Sequence, residues 1–345
     1  MKVAVLGAGS IGLGTAAMLV DGGHEVVLWG RALPAGAAVL AGQGAVAGAH
    51  VVTVAADVAG AVAGAAAGLI TVPGFAHRAV MDVLAPCLAP GQAVIVNSHC
   101  SFSGLYLAGL APGVRVAAWG TTVVTGRRTG ALAVNVSNIR SKVDVTGLPA
   151  RWGGEALALC ARLFGDRFVL RDDLVAISLS NLNPQNHLAM GLCNLTRMER
   201  AEDWPNYWGV TPAVGRLMEA LDRERLAIAA AFGVTVRTVF DHFHLSFDVP
   251  YLPTIGEMAA VVDGRGNGPL GPKTIDSRYL TEDVPFGLVP TEALARAAGV
   301  ATPLHTGGID LCSALLGRDF RSENDILPGL GLGALDVAAI RGRVA

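Results

Sequence analysis

The first 150 residues alternate short apolar runs with stretches whose apolar residues recur at helical spacing. The runs that we interpret as β-strands are Val3–Leu6, Glu25–Trp29, Val51–Val54, Gly68–Val72, Ala93–Asn97 and Val114–Ala118. Intervening helices are predicted at Ala16–Val20 and Ala76–Leu84, and further strands at Ala131–Val145. Short apolar strands that alternate with helices are typical of βαβ units with a buried parallel sheet. The pattern therefore predicts an α/β domain.

After Gly147-Leu148-Pro149 the pattern becomes one of longer amphipathic helices. The predicted helices are Gly154–Phe164, Pro184–Arg200, Thr211–Phe232, Glu292–Ala298 and Ile309–Leu316. The interval from Asp263 to Asp283 is rich in glycine, proline and charge, and is predicted to be a long loop. A chain of 345 residues suits two domains. We place an α/β domain at residues 1–150 and an all-helical domain at residues 151–345.

The sequence Gly7-Ala8-Gly9-Ser10-Ile11-Gly12 joins the first predicted strand to a helical stretch. In the Rossmann fold, the first glycine of such a loop makes a tight turn and the second lets the backbone approach a pyrophosphate. The third allows close contact between helix and sheet, and the helix N-terminus favours the phosphate charge. Gly7, Gly9, Ser10, Ile11 and Gly12 are therefore predicted to bind NAD(P). The alternative is a glycine-rich turn without a ligand.

The residues after the second predicted strand indicate which dinucleotide is bound. An acidic residue there holds the ribose 2′-hydroxyl of NAD. This chain has Gly30-Arg31 instead, so no carboxylate repels a 2′-phosphate and Arg31 offers it a cation. NADPH is therefore the expected cofactor, with NAD possible. Arg31 as an ordinary surface residue is the alternative.

Composition and charge limit the classes of partner. The net charge is −2, so no nucleic-acid partner is expected, and no apolar run approaches the length of a membrane span. The five cysteines are scattered without a CxxC pair, which predicts free thiols in a reducing cytoplasm and no metal site.

Several stretches together resemble the octopine/nopaline (opine) dehydrogenase family. In the first domain they are Val72-Pro73-Gly74-Phe75-Ala76-His77 and Leu84-Ala85-Pro86-Cys87-Leu88-Ala89-Pro90-Gly91-Gln92. In the second they are Asn183-Pro184-Gln185-Asn186-His187, Asp222-Arg223-Glu224-Arg225-Leu226, Glu282-Asp283-Val284-Pro285-Phe286-Gly287 and Thr302-Pro303. The motifs cover most of the chain in the family's order.

The resemblance implies a Rossmann domain followed by a helical domain of opine-dehydrogenase type, a homodimer, and small carbonyl and amine substrates. It implies reduction of the imine formed between an amine or amino acid and a 2-oxo acid or ketone. It also implies that His187 and Asp283 act as a catalytic pair, and it adds Pro73 to the candidate cofactor contacts. The chain departs from the family at Asn97–Gly104 and at Trp119–Thr122.

The residues around His187 are compatible with such a role. Asn183 and Pro184 predict a capped helix start, which would fix the backbone of His187 in the first turn. Histidine titrates near neutrality and can give up a proton, and Asp283 would orient its ring. The alternatives are a core histidine and an ordinary loop carboxylate.

Further candidates concern the substrate. The aromatic cluster Trp204, Tyr207 and Trp208 could line a substrate pocket or anchor a loop, and Asn194 lies on the helical stripe of His187. Substrate carboxylates require cations, for which Lys142, Lys273, Arg128 and Arg278 are available. Two other functions stay open: a 2-oxo acid or ketone reductase on the same plan, and a regulatory protein that binds NADPH without turnover.

Overall fold

The computed structural model describes residues 1–266 and 268–345, and these divide into two compact units. Unit 1 consists of Met1–Ile177 with Gly342–Ala345, and unit 2 of Ser178–Arg341. The boundary therefore lies 27 residues beyond the one predicted at residue 150, counting from 150 to 177.

Unit 1 is built on one sheet of eleven strands. In chain order the strands are β1 Lys2–Leu6, β2 Glu25–Trp29, β3 Gly36–Gly44, β4 Gly48–Val54, β5 Ala67–Ile70, β6 Ala93–Val96, β7 Arg115–Trp119, β8 Val124–Gly130, β9 Ala133–Ile139, β10 Val143–Leu148 and β11 Phe168–Leu170. Their spatial order is β11-β10-β7-β6-β5-β1-β2-β4-β3-β9-β8.

The six strands in the order β4-β2-β1-β5-β6-β7 pair in parallel. From β1 the chain adds β2 and then β4 on one side of the sheet, and from β5 it adds β6 and then β7 on the other side. The order of strand addition therefore reverses between the neighbours β1 and β5. Dinucleotides bind outside the carboxyl ends of the strands at such a switch point. The predicted Rossmann fold is thus confirmed, and its ligand-binding edge is defined.

Helices cover the sheet because its apolar strands must be buried on both faces. They are α1 Ser10–Asp21, α2 Val58–Val62, α3 His77–Leu84, α4 Ser103–Leu110 and α5 Gly153–Phe164. Helix α5 corrects the predicted domain division. Its apolar stripe, including Leu159 and Leu163, packs in the same core as the sheet rather than among the helices of unit 2.

Strands β3, β8 and β9 extend the sheet beyond the parallel core. Strands β8 and β9 pack against α1, where a Cβ on Gly14 would lie 2.9 Å from Val136 Cγ2. Strand β3 was missed by the sequence analysis, because its exposed alanines and glycines lack the large apolar residues that mark a strand.

Unit 2 is helical and has its own core. Its helices are α7 Asn183–Cys193, α8 Leu195–Glu199, α9 Pro212–Ala231, α10 Val239–Phe247, α11 Ile255–Asp263, α12 Arg278–Thr281, α13 Val289–Ala298, α14 Pro303–Leu316, α15 Phe320–Glu323 and α16 Leu327–Leu330. Two further helices, α6 Leu174–Ser180 and α17 Val337–Val344, contain the boundaries between the units. A π-helical turn, Val284–Leu288, joins the segment after α12 to α13.

The interval predicted as a loop is largely one. Residues 264–266 and 268–277 form turns and irregular chain before α12 begins, whereas Asn267 lies outside the described residues. Within the described ranges, no helix is both long and apolar enough to cross a membrane.

Candidate active site

The glycine loop at the end of β1 needs glycine for steric reasons. Gly7 has a φ of +124°, and its N–H donates to Trp29 O at 2.9 Å, which ties the loop to the end of β2. A Cβ on Gly12 would lie 1.8 Å from Gly7 O, so only glycine lets α1 start this close to β1. The loop therefore has the tight turn and close helix approach predicted for it.

The same loop leaves room for a ligand at Gly9. A Cβ placed there would meet no atom within 4 Å among the described residues. Within that same part of the chain, α1 begins without a side-chain cap, so the positive end of its dipole is available to an anion. Ser10 follows at the helix start, and its Oγ accepts a hydrogen bond from Arg128 N–H at 2.9 Å. Ile11 is partly buried and packs against the core of unit 1. These features fit a dinucleotide pyrophosphate.

Packing favours glycine at position 30, and this constraint is not visible in the sequence. A Cβ on Gly30 would lie 2.6 Å from Ala8 Cβ, so any larger residue would push against the glycine loop. Packing alone therefore explains the absence of a carboxylate at this position. Arg31 is exposed directly beyond it. Pro73 is also exposed and precedes the 3₁₀ turn Gly74–Ala76, beyond the carboxyl end of β5.

Two buried histidines lie near the carboxyl ends of β5 and β6. Burial lowers the pKa of His77 to about 4 and that of His99 to about 3. His77 Nε2 lies 3.1 Å from Val72 O, which can only accept, so Nε2 carries the proton and Nδ1 faces Ser103 Oγ at 3.0 Å. Both rings are neutral at neutral pH, so neither is a ready proton donor.

In unit 2, His187 lies in the first turns of α7. The helix start differs from the prediction, because Leu182 occupies the N-cap position and Asn183 is already helical. The Asn183 N–H instead donates to Asn181 Oδ1 at 3.1 Å. Pro184 is in the first turn as predicted. The backbone of His187 is thus fixed by a helix start, with Asn181 rather than Asn183 supplying the side-chain oxygen.

His187 Nδ1 lies 2.6 Å from Asp283 Oδ2. The Asp283 side chain is 8% exposed and that of His187 16% exposed, so both are largely shielded from water. An ionised carboxylate only accepts hydrogen bonds, so Nδ1–H donates and Nε2 is the ring nitrogen left for other chemistry. The structure therefore brings together the two residues predicted as a pair, in the arrangement of an oriented acid or base.

Helix α12 carries Arg278 and Tyr279, which precede Asp283 by five and four residues. Arg278 is 58% exposed and its Nε lies 3.7 Å from Glu282 Oε2. Desolvation lowers the pKa of Arg278, but the negative charges of Asp283 and Glu282 outweigh it and hold that pKa above its ordinary value. Tyr279 stacks on His187 with ring centroids 3.7 Å apart and planes at 7°. The sequence analysis missed Tyr279, although it lies only four residues before Asp283.

The residues predicted to contact substrate differ in their burial and in their hydrogen bonds. Asn194 is buried and donates through Nδ2 to Met190 O at 3.0 Å and Gly209 O at 3.2 Å, so its amide is used internally. Trp204 is 1% exposed and donates from Nε1 to Pro272 O at 3.2 Å. These contacts give Asn194 and Trp204 structural roles, and burial leaves little of either side chain for contact with a substrate.

The other two aromatics of the cluster also differ. Tyr207 packs edge-on against Phe243 and Phe247. Trp208 is 50% exposed, with the Arg197 guanidinium 4.6 Å above its ring. Tyr207 is partly exposed and Trp208 is half-exposed, so the exposure of both is compatible with contact to a substrate.

The four cations predicted to bind substrate carboxylates have different surroundings. Lys273 Nζ lies 2.5 Å from Asp203, and Arg128 donates to the carbonyls of Gly130 and Ala131. Lys142 is exposed in unit 1. Arg278 lies in α12, five residues before Asp283, and its Nε is 3.7 Å from Glu282 Oε2.

Comparison with known proteins covers both units. The NAD/NADP octopine/nopaline dehydrogenase alpha-helical domain matches residues 170–316, and the NAD-dependent glycerol-3-phosphate dehydrogenase N-terminus matches residues 2–100. An opine dehydrogenase of Arthrobacter sp. (strain 1C) is 32% identical over 354 aligned positions, which cover 99% of this chain and 98% of the relative.

Solved structures agree on the fold. Octopine dehydrogenase in complex with NADH and agmatine has a TM-score of 0.78 at 18% identity, with 99% of this chain and 97% of that chain covered. Yersinopine dehydrogenase with NADP⁺ bound has a TM-score of 0.67 at 16% identity, covering 94% of this chain and 97% of that chain.

Proposed function

This chain belongs to the opine dehydrogenase family, and we propose that it reduces the imine formed between an amine or amino acid and a 2-oxo acid or ketone. It is an NAD(P)-dependent oxidoreductase acting on CH–NH bonds. The observation that carries the proposal is the 2.6 Å contact between His187 Nδ1 and Asp283 Oδ2.

In the proposed reaction, the amine and the carbonyl compound condense with loss of water to a C=N bond. A bound nicotinamide supplies a hydride to the carbon, and a proton is added at nitrogen, which gives a secondary amine. We assign the proton to His187 Nε2. Asp283 accepts a hydrogen bond from Nδ1–H and so leaves Nε2 as the nitrogen that can face the reacting group.

Arg278 is proposed to hold an anionic group of the bound molecules. It is an exposed cation in the helix that also carries Tyr279, five residues before Asp283, and guanidinium groups bind carboxylates and phosphates in two-point contacts. Among the reported neighbours, octopine dehydrogenase has been solved with pyruvate and with L-arginine, both of which carry a carboxylate.

The finer properties of the enzyme are also proposals. NADPH preference is supported by the exposed Arg31 after β2 and the packing that keeps position 30 a glycine. A reducing, cytoplasmic location is supported by five free cysteines in the described residues. A homodimer is proposed from family resemblance.

A substrate matrix tests the function. Purified protein is mixed with NADPH or NADH and each pair from a panel of 2-oxo acids, ketones and amines, and products are identified by mass. We expect oxidation of the cofactor only when both carbonyl and amine are present, with a secondary amine as product. Equal turnover without amine would indicate a 2-oxo acid or ketone reductase. Cofactor binding without turnover on any pair would indicate a regulatory protein.

A further inference from the structure

Tyr279 covers one face of the His187 ring. The two rings are nearly parallel, with planes at 7° and centroids 3.7 Å apart. Tyr279 lies in the short helix α12, whose N-cap Ser277 accepts the Tyr279 N–H through Oγ at 3.2 Å. The backbone that carries the phenol ring is therefore held at the base of the stack.

The far end of Tyr279 is held as well. Its hydroxyl donates to Asn206 Oδ1 at 3.2 Å, and Asn206 is only 4% exposed. The Asn206 N–H in turn donates to Pro269 O at 3.0 Å. Burial raises the pKa of Tyr279, so the phenol stays protonated and remains the donor in this bond. The segment Trp204–Trp208 is thus connected to the His187–Asp283 pair by the hydrogen bond between Asn206 and Tyr279.

A single hydrogen bond does not fix an imidazole ring. The contact with Asp283 sets the direction of Nδ1 but permits the ring to pivot about the Nδ1···Oδ2 line. A parallel aromatic face opposes that pivot, since tilting the ring would lose the contact or produce a clash.

We propose that Tyr279, held by Asn206, is a positioning residue that fixes the plane of the His187 ring during turnover. This inference rests on the proposed role of His187 as proton donor. Tyr279 acts through the ring it covers, so its contribution should depend on the presence of His187.

The kinetic test is a double-mutant cycle between Tyr279→Leu and His187→Ala. Tyr279→Leu is expected to lower kcat by about 3- to 30-fold, within the range of interaction energies between contacting residues, with the cofactor Kd unchanged. In the His187→Ala background the same change should alter kcat by less than about twofold, because contacting residues are not additive. Equal losses in both backgrounds would mean that Tyr279 merely supports the fold or the pocket, and would overturn the proposal.

Conservative and control variants sharpen this test. Tyr279→Phe keeps the ring and loses the bond to Asn206, so it should retain most of the activity, and Asn206→Ala should resemble it. Tyr251 provides a matched control, because it stacks on His244 at 4.4 Å and donates to Asp241 in the same unit. Tyr251→Leu should leave kcat unchanged. A Tyr279→Phe enzyme as impaired as Tyr279→Leu would contradict a role for the ring.

A measurement without turnover separates this inference from the proposed function. In protein labelled at histidine Cε1, the His187 resonance is identified by its loss in His187→Gln. The stacked phenol should displace that proton signal by its ring current, Tyr279→Phe should preserve the displacement, and Tyr279→Leu should abolish it. A preserved displacement in a protein without activity would refute the function but not the stack. An unmoved signal in Tyr279→Leu would refute the stack itself.

Discussion

Asp283 Oδ2 lies 2.6 Å from His187 Nδ1, although 96 residues separate the two in sequence. One residue is in α7 and the other directly precedes the π-helical turn Val284–Leu288. The pairing is thus produced by the packing of unit 2 rather than by local structure. Because the carboxylate is almost fully buried, the hydrogen bond to His187 is poorly screened by water.

We predict that His187→Ala lowers kcat by about 10²- to 10⁴-fold, the usual contribution of a positioned acid–base group. The cofactor Kd should change little, because the glycine loop belongs to unit 1. Asp283→Asn should cost less, since it removes orientation and charge but leaves the imidazole in place. Steady-state kinetics with the best substrate pair and cofactor titration by fluorescence measure both effects. Near-parental kcat in His187→Ala would refute the assignment.

The glycine loop supports a second prediction. Gly9→Val should nearly abolish cofactor binding without unfolding the protein, because its side chain would enter the space where a pyrophosphate approaches. The fold should tolerate it, since a Cβ at Gly9 meets no described atom within 4 Å. Gly154→Val is the matched control: Gly154 lies in the first turn of α5 and is equally open. Unimpaired cofactor binding by Gly9→Val would show that the ligand lies elsewhere.

Replacing Trp204 or Trp208 by alanine should have different effects on stability, although the two residues are close in sequence. Trp204→Ala removes a buried ring and should cost about 3–5 kcal/mol of stability, measured by chemical denaturation. Trp208→Ala affects a half-exposed ring, and its stability cost should stay within about 0.5 kcal/mol. If Trp208 contacts substrate, its loss should change relative activity among amines more than it changes KM for NADPH. Unchanged amine selectivity would leave Trp208 a surface residue.

The sequence predicted the parallel core and the His187–Asp283 pair for different reasons. Strands such as Glu25–Trp29 are local apolar runs, so their pattern is visible without tertiary information. The pair was found through resemblance to a family, not through spacing. Helix α5 was assigned to the wrong domain, because an amphipathic stripe predicts a buried face but not the layer it packs against.

The contact of Tyr279 with His187 and Asn206 could not be predicted from pattern. The three residues lie on separate segments, and stacking depends on side-chain directions set only by the folded chain. Gly30 is a similar case, because its steric conflict with Ala8 exists only once the loop lies beside the end of β2.

The hydrogen bonds of the Glu292 carboxyl should make the stability of the protein depend on pH. Hydrogen bonds from Arg321 at 2.8 and 2.9 Å, with one from Thr306 at 2.9 Å, hold the pKa of the Glu292 carboxyl below its ordinary value. A carboxyl whose pKa is depressed by folding stabilises the protein above its unfolded-state pKa, and that stability is lost as pH falls through the folded-state pKa. Glu292 should therefore contribute at neutral pH and not in acid.

Glu292→Gln should lower the free energy of unfolding by about 1 kcal/mol at neutral pH, a value reduced for the partial exposure of Arg321. The difference from the parent should shrink as the pH falls below about 4. Glu202→Gln is the control, since the arginine partners of the two carboxylates are equally exposed at 35% whereas Glu202 is 43% exposed and Glu292 is 6% exposed. Denaturation series across pH measure the effect, and a difference that grows in acid would have the wrong sign.

The last prediction concerns cofactor choice. Arg31 is exposed directly after the carboxyl end of β2, where the adenosine ribose binds in Rossmann folds. A charge-assisted contact with a 2′-phosphate contributes about 1.5–3 kcal/mol, which corresponds to about a tenfold to hundredfold preference. Arg31→Ala should therefore lower kcat/KM for NADPH by that factor and leave the value for NADH nearly unchanged.

The substitution must be made at Arg31 rather than at Gly30. Gly30→Asp would introduce a Cβ 2.6 Å from Ala8 Cβ, so it would disturb the glycine loop and weaken both dinucleotides at once. Arg115→Ala is a suitable control, because Arg115 is an exposed arginine at the opposite, amino end of a strand in the same sheet. We expect the ratio of kcat/KM for NADPH to that for NADH to fall in Arg31→Ala and to stay at the parental value in Arg115→Ala. A parent that clearly prefers NADH, or an Arg31→Ala enzyme with an unchanged ratio, would remove Arg31 from the cofactor site.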